Sequence, residues 1–276
     1  MINIENLDFS YQQAAVFKDI SLQFKEGNIY GLLGENGVGK TTLLKIISGL
    51  QRPTGGRCEV DGMASFDCRP EMLRELFFMP DSVTLPDDST PEQYIKELGA
   101  FYPFYSHDDF LRLMHEMEVD PLMKFQEMST GMQKKSLLAC ALCLGTKYLL
   151  LDEPTNGLDI PSKSDFRKIL MQRMGTETTI IISTHQVKDV ENLIDPIVII
   201  SHNELLLDAS VAEISKHLFF EYGTILRHDA LYSEMQPGGY LNVVENIEGK
   251  DSPINIEALF NAVLKNTKQV KQIFNK

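Results

Sequence analysis

The sequence predicts an α/β fold, a mostly parallel sheet covered by helices, and three observations carry that expectation. In the second half of the chain, strand-sized apolar runs at residues 148–151, 180–182 and 197–200 alternate with helical stretches, the pattern of parallel strands joined by crossover helices. Near the start, the apolar run 29–33 ends in a glycine-rich loop that passes directly into the helical pattern of residues 42–47. Between these two parts, from Pro91 to about Phe125, the pattern is helical only, so an all-helical stretch is expected as an insert between two halves of the core.

Each element follows from local chemistry. Up to about Asp61 short β-type runs dominate, at residues 2–7, 20–24 and 29–33. Thr90 is placed to cap the first inserted helix, and Pro91 suits its first turn. Ser106-His107-Asp108-Asp109 begins a second helical stretch, expected over residues 110–119 and closed by Pro121. His107 and His115 in these helices read as exposed surface residues. After Ser129, a good N-cap residue, a long apolar helix leads into the strand at residues 148–151. Leu205-Leu206-Leu207-Asp208-Ala209-Ser210 reads as a returning strand and turn. Beyond it come short strand-like runs, a turn at Pro237-Gly238-Gly239 and an amphipathic helix over about 256–264.

Composition narrows the function classes. The 276 residues suffice for one large domain or two small ones, and 43% hydrophobic with 24% charged residues is ordinary for a soluble globular protein. Acidic residues outnumber basic ones 39 to 26, a formal charge of −13. A general nucleic-acid binder needs a basic surface, so no nucleic-acid partner is expected. No apolar run approaches a membrane span, and the first residues have neither the basic flank nor the apolar core of a signal peptide. The expected location is the cytoplasm. Cys58, Cys68, Cys140 and Cys143 are irregularly spaced. The Cys140/Cys143 pair reads as core of an apolar helix, because no second ligand pair accompanies it.

The loop Gly34-Glu35-Asn36-Gly37-Val38-Gly39-Lys40-Thr41-Thr42 fits G-x-x-x-x-G-K-[ST], the phosphate-binding P-loop. Its glycines allow successive backbone N–H groups to turn inward on phosphate oxygens, and the helix that follows offers free N–H groups and a favourable dipole. Lys40 is expected on the β- and γ-phosphates and the Thr41 hydroxyl on Mg²⁺. Leu149-Leu150-Leu151-Asp152-Glu153 is an apolar strand ending in two acids. At the carboxyl end of a parallel strand such acids face the ligand crevice. Asp152 then suits Mg²⁺, through water, and Glu153 the proton of an attacking water. Ser129-Thr130-Gly131-Met132, Gly157-Leu158-Asp159 and Ser183-Thr184-His185 are weak signals taken singly.

Together and in this order, these segments resemble the nucleotide-binding subunit of ATP-binding-cassette (ABC) transporters, over roughly residues 1–210. The resemblance implies a P-loop NTPase core with an antiparallel β subdomain near the N-terminus, a helical insert at about 82–135 and a small accessory extension at 211–276. It makes the glycine loop Walker A, residues 149–153 Walker B with Glu153 as catalytic glutamate, and Gly157-Leu158-Asp159 the D-loop. His185 becomes the switch histidine, and Tyr11 the aromatic residue that stacks on adenine. Ser129-Thr130-Gly131-Met132 is similar to the signature motif in the Ser-x-Gly-Met form of many bacterial export-type subunits. One departure stands out: Asp81 follows Phe78-Met79-Pro80 where the family usually has Gln, so Asp81 is the implied but shortened metal contact.

The resemblance also implies partners. Two ATPase subunits, identical or different, face head to tail, so Ser129 and Gly131 serve the nucleotide of the partner. A separate transmembrane permease carries the transport path, and the chain sits peripherally at the inner face of the cell membrane. The implied work is ATP hydrolysis powering an exporter; a cytoplasmic ATPase of the same type acting without a membrane partner, as in cofactor assembly, is the alternative. Phe101-Tyr102-Pro103-Phe104-Tyr105 in the insert reads either as a docking surface or as the insert's own small core.

Overall fold

The strands follow the hydrophobic pattern, which differs between the two ends of the chain. In β1 (Ile2–Tyr11) and β2 (Ala14–Phe24), buried Ile2, Ile4, Leu7 and Phe9 and then Phe17, Ile20, Leu22 and Phe24 alternate with more exposed residues, as in a sheet with one wet face. In β3 (Ile29–Leu33) every residue is buried. The P-loop and α1 (Lys40–Ile47) follow, then β4 (Gly55–Val60), β5 (Met63–Ala64), the short α2 (Pro70–Leu73) and β6 (Leu76–Met79). Strands β2, β1, β4 and β5 form an antiparallel sheet in that order. The computed structural model describes residues 1–12, 14–172, 177–201 and 203–274.

Three helices lie between β6 and the next strand of the central sheet: α3 (Pro91–Gly99), α4 (His107–Glu116) and α5 (Thr130–Cys143). Thr90 caps α3 in a reciprocal pair, with Gln93 N donating to Thr90 Oγ1 at 3.2 Å and Thr90 N to Gln93 Oε1 at 3.1 Å. Helix α4 starts and stops earlier than the sequence pattern suggests. Asp109 N donates to Ser106 Oγ at 3.1 Å, which makes Ser106 the cap, and Glu118 at φ 56° in the left-handed region ends the helix before Pro121 is reached. His107 is half-buried rather than exposed, stacked on Phe110 at 6.0 Å with Nδ1 2.9 Å from the Tyr105 hydroxyl. Cys140 and Cys143 are buried in α5.

The chain continues through β7 (Tyr148–Asp152), α6 (Ile160–Met171), β8 (Thr179–Thr184), β9 (Ile197–Ser201) and β10 (Glu204–Ala209). The central sheet has the order β10-β9-β3-β8-β7-β6, parallel except for the β10 edge. Its strands read as continuous apolar runs because both faces are covered. Leu149, Leu151, Ile180 and Ile182 face the core shared with the inserted helices, while Tyr148, Leu150 and Ile181 face the core shared with α1 and the antiparallel sheet.

After α7 (Val211–His217), β11 (Leu218–Gly223), β12 (Tyr232–Gln236) and β13 (Gly239–Glu245) form a second antiparallel sheet, order β11-β13-β12. The β12–β13 hairpin turns at Pro237-Gly238, and α8 (Ile256–Lys265) and α9 (Thr267–Phe274) follow. The extension does not stand apart: Phe220, Leu241, Leu259 and Val263 belong to the same hydrophobic core as the inserted helices.

Candidate functional site

Parallel register brings the sequence motifs to one edge of the sheet. Leu33 of β3 is level with Thr184 of β8, Asp152 of β7 with Ser183, and Met79 of β6 with Leu151. The loops leaving these strands therefore emerge side by side, at the carboxyl ends where open α/β sheets bind ligands.

The P-loop is shaped by steric limits as much as by its charges. Gly39 adopts φ 111° as the residue before α1, and a Cβ there would lie 2.6 Å from Val16 and 2.7 Å from Phe17. At Gly34 a Cβ would lie 2.7 Å from the Ile200 carbonyl oxygen. Lys40 is folded back across the loop, its Nζ donating to Gly34 O at 2.8 Å and Glu35 O at 3.1 Å. It is 6% exposed and lies 3.7 Å from Glu153 Oε1. Burial lowers its pKa, against the opposing pull of the Glu153 and Asp152 carboxylates.

Asp152 is 2% exposed, yet its carboxylate is satisfied. Thr41 Oγ1 donates to Oδ2 at 2.7 Å and Ser183 Oγ to Oδ1. Glu153 follows with φ 46°, its amide donating to Ser183 O at 2.9 Å. Its carboxylate is clamped by Thr184 Oγ1, which donates to Oε2 at 3.2 Å, and by His185 Nδ1, 2.8 Å from Oε1. A non-glycine residue in the left-handed region at a strand end is the kind of strain that clusters at functional sites.

A cavity of about 560 Å³ joins these groups, lined among others by Tyr11, Asn36, Lys40, Thr41, Asp152 and His185. Gly37, Gly39, Thr42, Asp81 and Glu153 line it as well. Gly34 and Glu35 contribute carbonyls to Lys40 from behind, and Val38 packs inward against the core. Tyr11 stands at the rim, 46% exposed, with its hydroxyl 3.4 Å from Thr42 Oγ1 and its ring edge-on to Phe9. Ser129 and Gly131 are not in the lining: Ser129 caps α5, with Met132 N donating to its Oγ at 3.2 Å, and Gly131 faces the Gly157 carbonyl. Asp81 Oδ1 accepts from Lys134 Nζ at 2.9 Å and from Asn156 Nδ2 at 3.4 Å.

Several members of the site carried no sequence signal: Val16 and Asn156 line the cavity, and Gln186 Nε2 donates to Asn156 Oδ1 at 2.8 Å. Ser183 and Thr184 lie in a segment that was only a weak signal and gave no role; their hydroxyls anchor the two acids. Only the Asp152–Ser183 adjacency in parallel strands was in principle available, through strand alignment.

The donor set suits Mg²⁺. Thr41 and Asp152 offer hard oxygens already 2.7 Å apart beside the phosphate loop, and Mg²⁺ at nucleotide sites takes one or two protein oxygens, with phosphates and water completing its shell. Among the described residues no group of three or more His, Cys, Asp or Glu side chains is placed to hold a metal ion. Among the described residues no helix is long and apolar enough to cross a membrane.

Comparison with known proteins agrees with the geometry. The sequence model of the family described as "ABC transporter" matches residues 17–156. The ABC transporter ATP-binding protein YtrB of Bacillus subtilis is 30% identical over 206 residues, covering 74% of this chain and 70% of that protein. The ABC transporter ATP-binding protein NatA of the same organism is 31% identical over 195 residues, 68% of this chain and 79% of that one. A solved ATP-binding subunit of an ABC transporter superposes with a TM-score of 0.71 over 78% of this chain and 91% of its own, at 24% identity. With a P-loop, a buried Asp152 bonded to Thr41 and a clamped Glu153 at one edge of this fold, the chain belongs to the ABC transporter family, as an ATP-binding and ATP-hydrolysing subunit that powers transport.

Proposed function

We propose that two such subunits close head to tail on ATP, each nucleotide held by the P-loop of one chain and by Ser129 and Gly131 of the other. The observation that carries the hydrolytic half of this reading is the position of the Glu153 carboxylate, 2.8 Å from His185 Nδ1 and 3.7 Å from Lys40 Nζ. The γ-phosphate belongs where Lys40 can leave the Gly34 and Glu35 carbonyls and donate to phosphate oxygens instead. Glu153 then takes a proton from water as the water oxygen bonds to the γ-phosphorus. The bond from that phosphorus to the β–γ bridging oxygen breaks, releasing ADP and phosphate. His185 holds Glu153 and the phosphate in register. Thr41 and Asp152 would hold Mg²⁺, which when bound supplies charge neutralisation at the phosphate oxygens.

The need for a second chain is supported by Ser129 and Gly131 lying outside the cavity that Lys40 lines. The Ser-x-Gly-Met form of that segment supports an exporter, with the permease on a separate polypeptide and the ATPase docked at the cytoplasmic face of the membrane. The aromatic cluster of the insert divides in a way that fits docking. Tyr102 and Tyr105 pack against the core, while Phe101 and Phe104 are 72% and 66% exposed. Serine at both exposed positions is expected to reduce recovery of the permease complex while leaving ATP binding intact.

Glu153→Gln tests the mechanism. It keeps the shape and removes the base, so the variant is expected to bind ATP, to accumulate as a stable dimer and to hydrolyse ATP at least about 10²-fold more slowly. Near-normal turnover would overturn the assignment.

A further inference from the structure

The turn that carries Glu153 is held by a side chain from the inserted helices. Lys134, on the second turn of α5, is 7% exposed and lies outside the P-loop cavity. Its Nζ donates to the Glu153 carbonyl at 2.7 Å and to Asp81 Oδ1 at 2.9 Å. A buried ammonium needs both a counter-charge and hydrogen-bond acceptors, and these two groups supply them. Asp81 is held from a second side by Asn156 Nδ2, itself tied to Gln186 through Asn156 Oδ1. Three segments therefore meet at one ammonium: the chain leaving β6, the turn after β7 and the helix capped by Ser129. A cavity of about 330 Å³ beside the pair, lined in part by Asp81, Thr130, Lys134 and Gly157, means that little packing would replace these bonds once lost.

We propose that Lys134 is a positioning residue for the hydrolytic turn and that Asp81 serves as its anchor rather than as a metal contact. The proposal rests on the role of Glu153 given above. The Glu153 backbone sits at φ 46°, a conformation that persists only when its surroundings hold it. A hydrogen bond to its carbonyl from α5 does so. The same bond links the Glu153 backbone to the helix that Ser129 caps and whose first turn carries Gly131. Displacement of α5, when a second chain engages that turn, is thereby transmitted to the general base through a charge-assisted bond.

The test is a double-mutant cycle of Lys134→Met and Asp81→Asn, with Lys134→Arg as the conservative variant and Glu153→Gln as control. Four quantities are read on the full chain: kcat and KM for ATP, the Mg²⁺ concentration for half-maximal turnover, and amide hydrogen exchange over residues 153–158. Each single variant is expected to lower kcat about tenfold or more, from misplacement of the base, with KM and the Mg²⁺ requirement unchanged and exchange of the turn accelerated. The double variant should be no worse than the poorer single one, the mark of a shared interaction, and Lys134→Arg should retain more activity than Lys134→Met. Additive losses, or a raised Mg²⁺ requirement in Asp81→Asn but not in Lys134→Met, would overturn the proposal. So would unchanged kcat and exchange in Lys134→Met. If Glu153→Gln turned over normally, the reading of Glu153 would fall, while the exchange cycle in the same proteins would still decide whether Lys134 holds the turn.

Discussion

Glu153 Oε1 lies 2.8 Å from His185 Nδ1, so the carboxylate after β7 and the imidazole after β8 form one hydrogen-bonded unit across adjacent parallel strands. The pairing limits where the carboxylate can point, since Thr184 Oγ1 donates to its other oxygen at 3.2 Å.

His185→Ala should leave Glu153 in place but less directed. Turnover is expected to fall roughly 10- to 10²-fold, below the full effect of removing a general base, with the Kd for ATP changed less than threefold. Single-turnover hydrolysis beside equilibrium nucleotide binding checks the split. A loss confined to binding would remove His185 from the chemical step.

The lowered pKa of Lys40 gives ATP binding a pH dependence. Burial disfavours the ammonium in the free protein, and Glu153 and Asp152 offset this only in part. Triphosphate raises the pKa again, so the complex holds more protons than the free protein in the window between the two values. Affinity should therefore fall as pH rises through the lowered pKa, with proton uptake on binding. Calorimetry in buffers of different ionisation enthalpy measures that uptake directly; none at any alkaline pH would contradict it.

Ser183→Ala removes one of the two hydroxyls that satisfy the buried Asp152 carboxylate. The expected cost is about 1.5–3 kcal/mol, the range for hydrogen bonds to a charged group. A thermal melt should show it in the nucleotide-free protein, and Mg²⁺ with ATP should recover part of the loss by binding the native state.

Head-to-tail assembly predicts complementation. Lys40→Ala and Ser129→Arg chains should each be nearly inactive alone. Mixed together, they form dimers in which the intact P-loop of one chain meets the intact Ser129 of the other. Hydrolysis should reappear in the mixture and rise with protein concentration. A mixture as inactive as its parts would argue that Ser129 does not serve a second chain.

Much of the candidate site was legible because its residues are concentrated in short segments. A phosphate loop needs glycines, a lysine and a hydroxyl within a few residues, here ending in Lys40 and Thr41, and the proposed hydrolytic end of β7 places two acids directly after an apolar run. The α/β class was legible for a similar reason: residues 148–151 and 180–182 are apolar at every position, as strands buried on both faces must be. Lys134 and Asn156 were not legible. Lys134 meets Asp81 across 53 positions of sequence, and on an apolar helix it reads as an ordinary cap-proximal lysine. The bounds of α4 were missed because the helix stops on the backbone conformation of Glu118 rather than at a proline. Helix α9 lay outside the sequence expectation, although Val270, Ile273 and Phe274 stand at helical spacing.

By itself, the sequence determined that the chain folds around a parallel sheet and binds nucleotide phosphates, since both depend on local periodicity and on residue types at fixed spacing. Only the tertiary structure decided which side chains share the site. Parallel register set Asp152 beside Ser183, and the turns leaving β7 and β8 brought the Glu153 carboxylate to His185. Packing of α5 under the β7 turn put the Lys134 ammonium between Glu153 and Asp81. Burial divided the aromatic cluster into packed Tyr102 and Tyr105 and exposed Phe101 and Phe104. The physical reason is common to all three: hydrogen bonds and burial depend on distance in space, which a one-dimensional pattern does not contain.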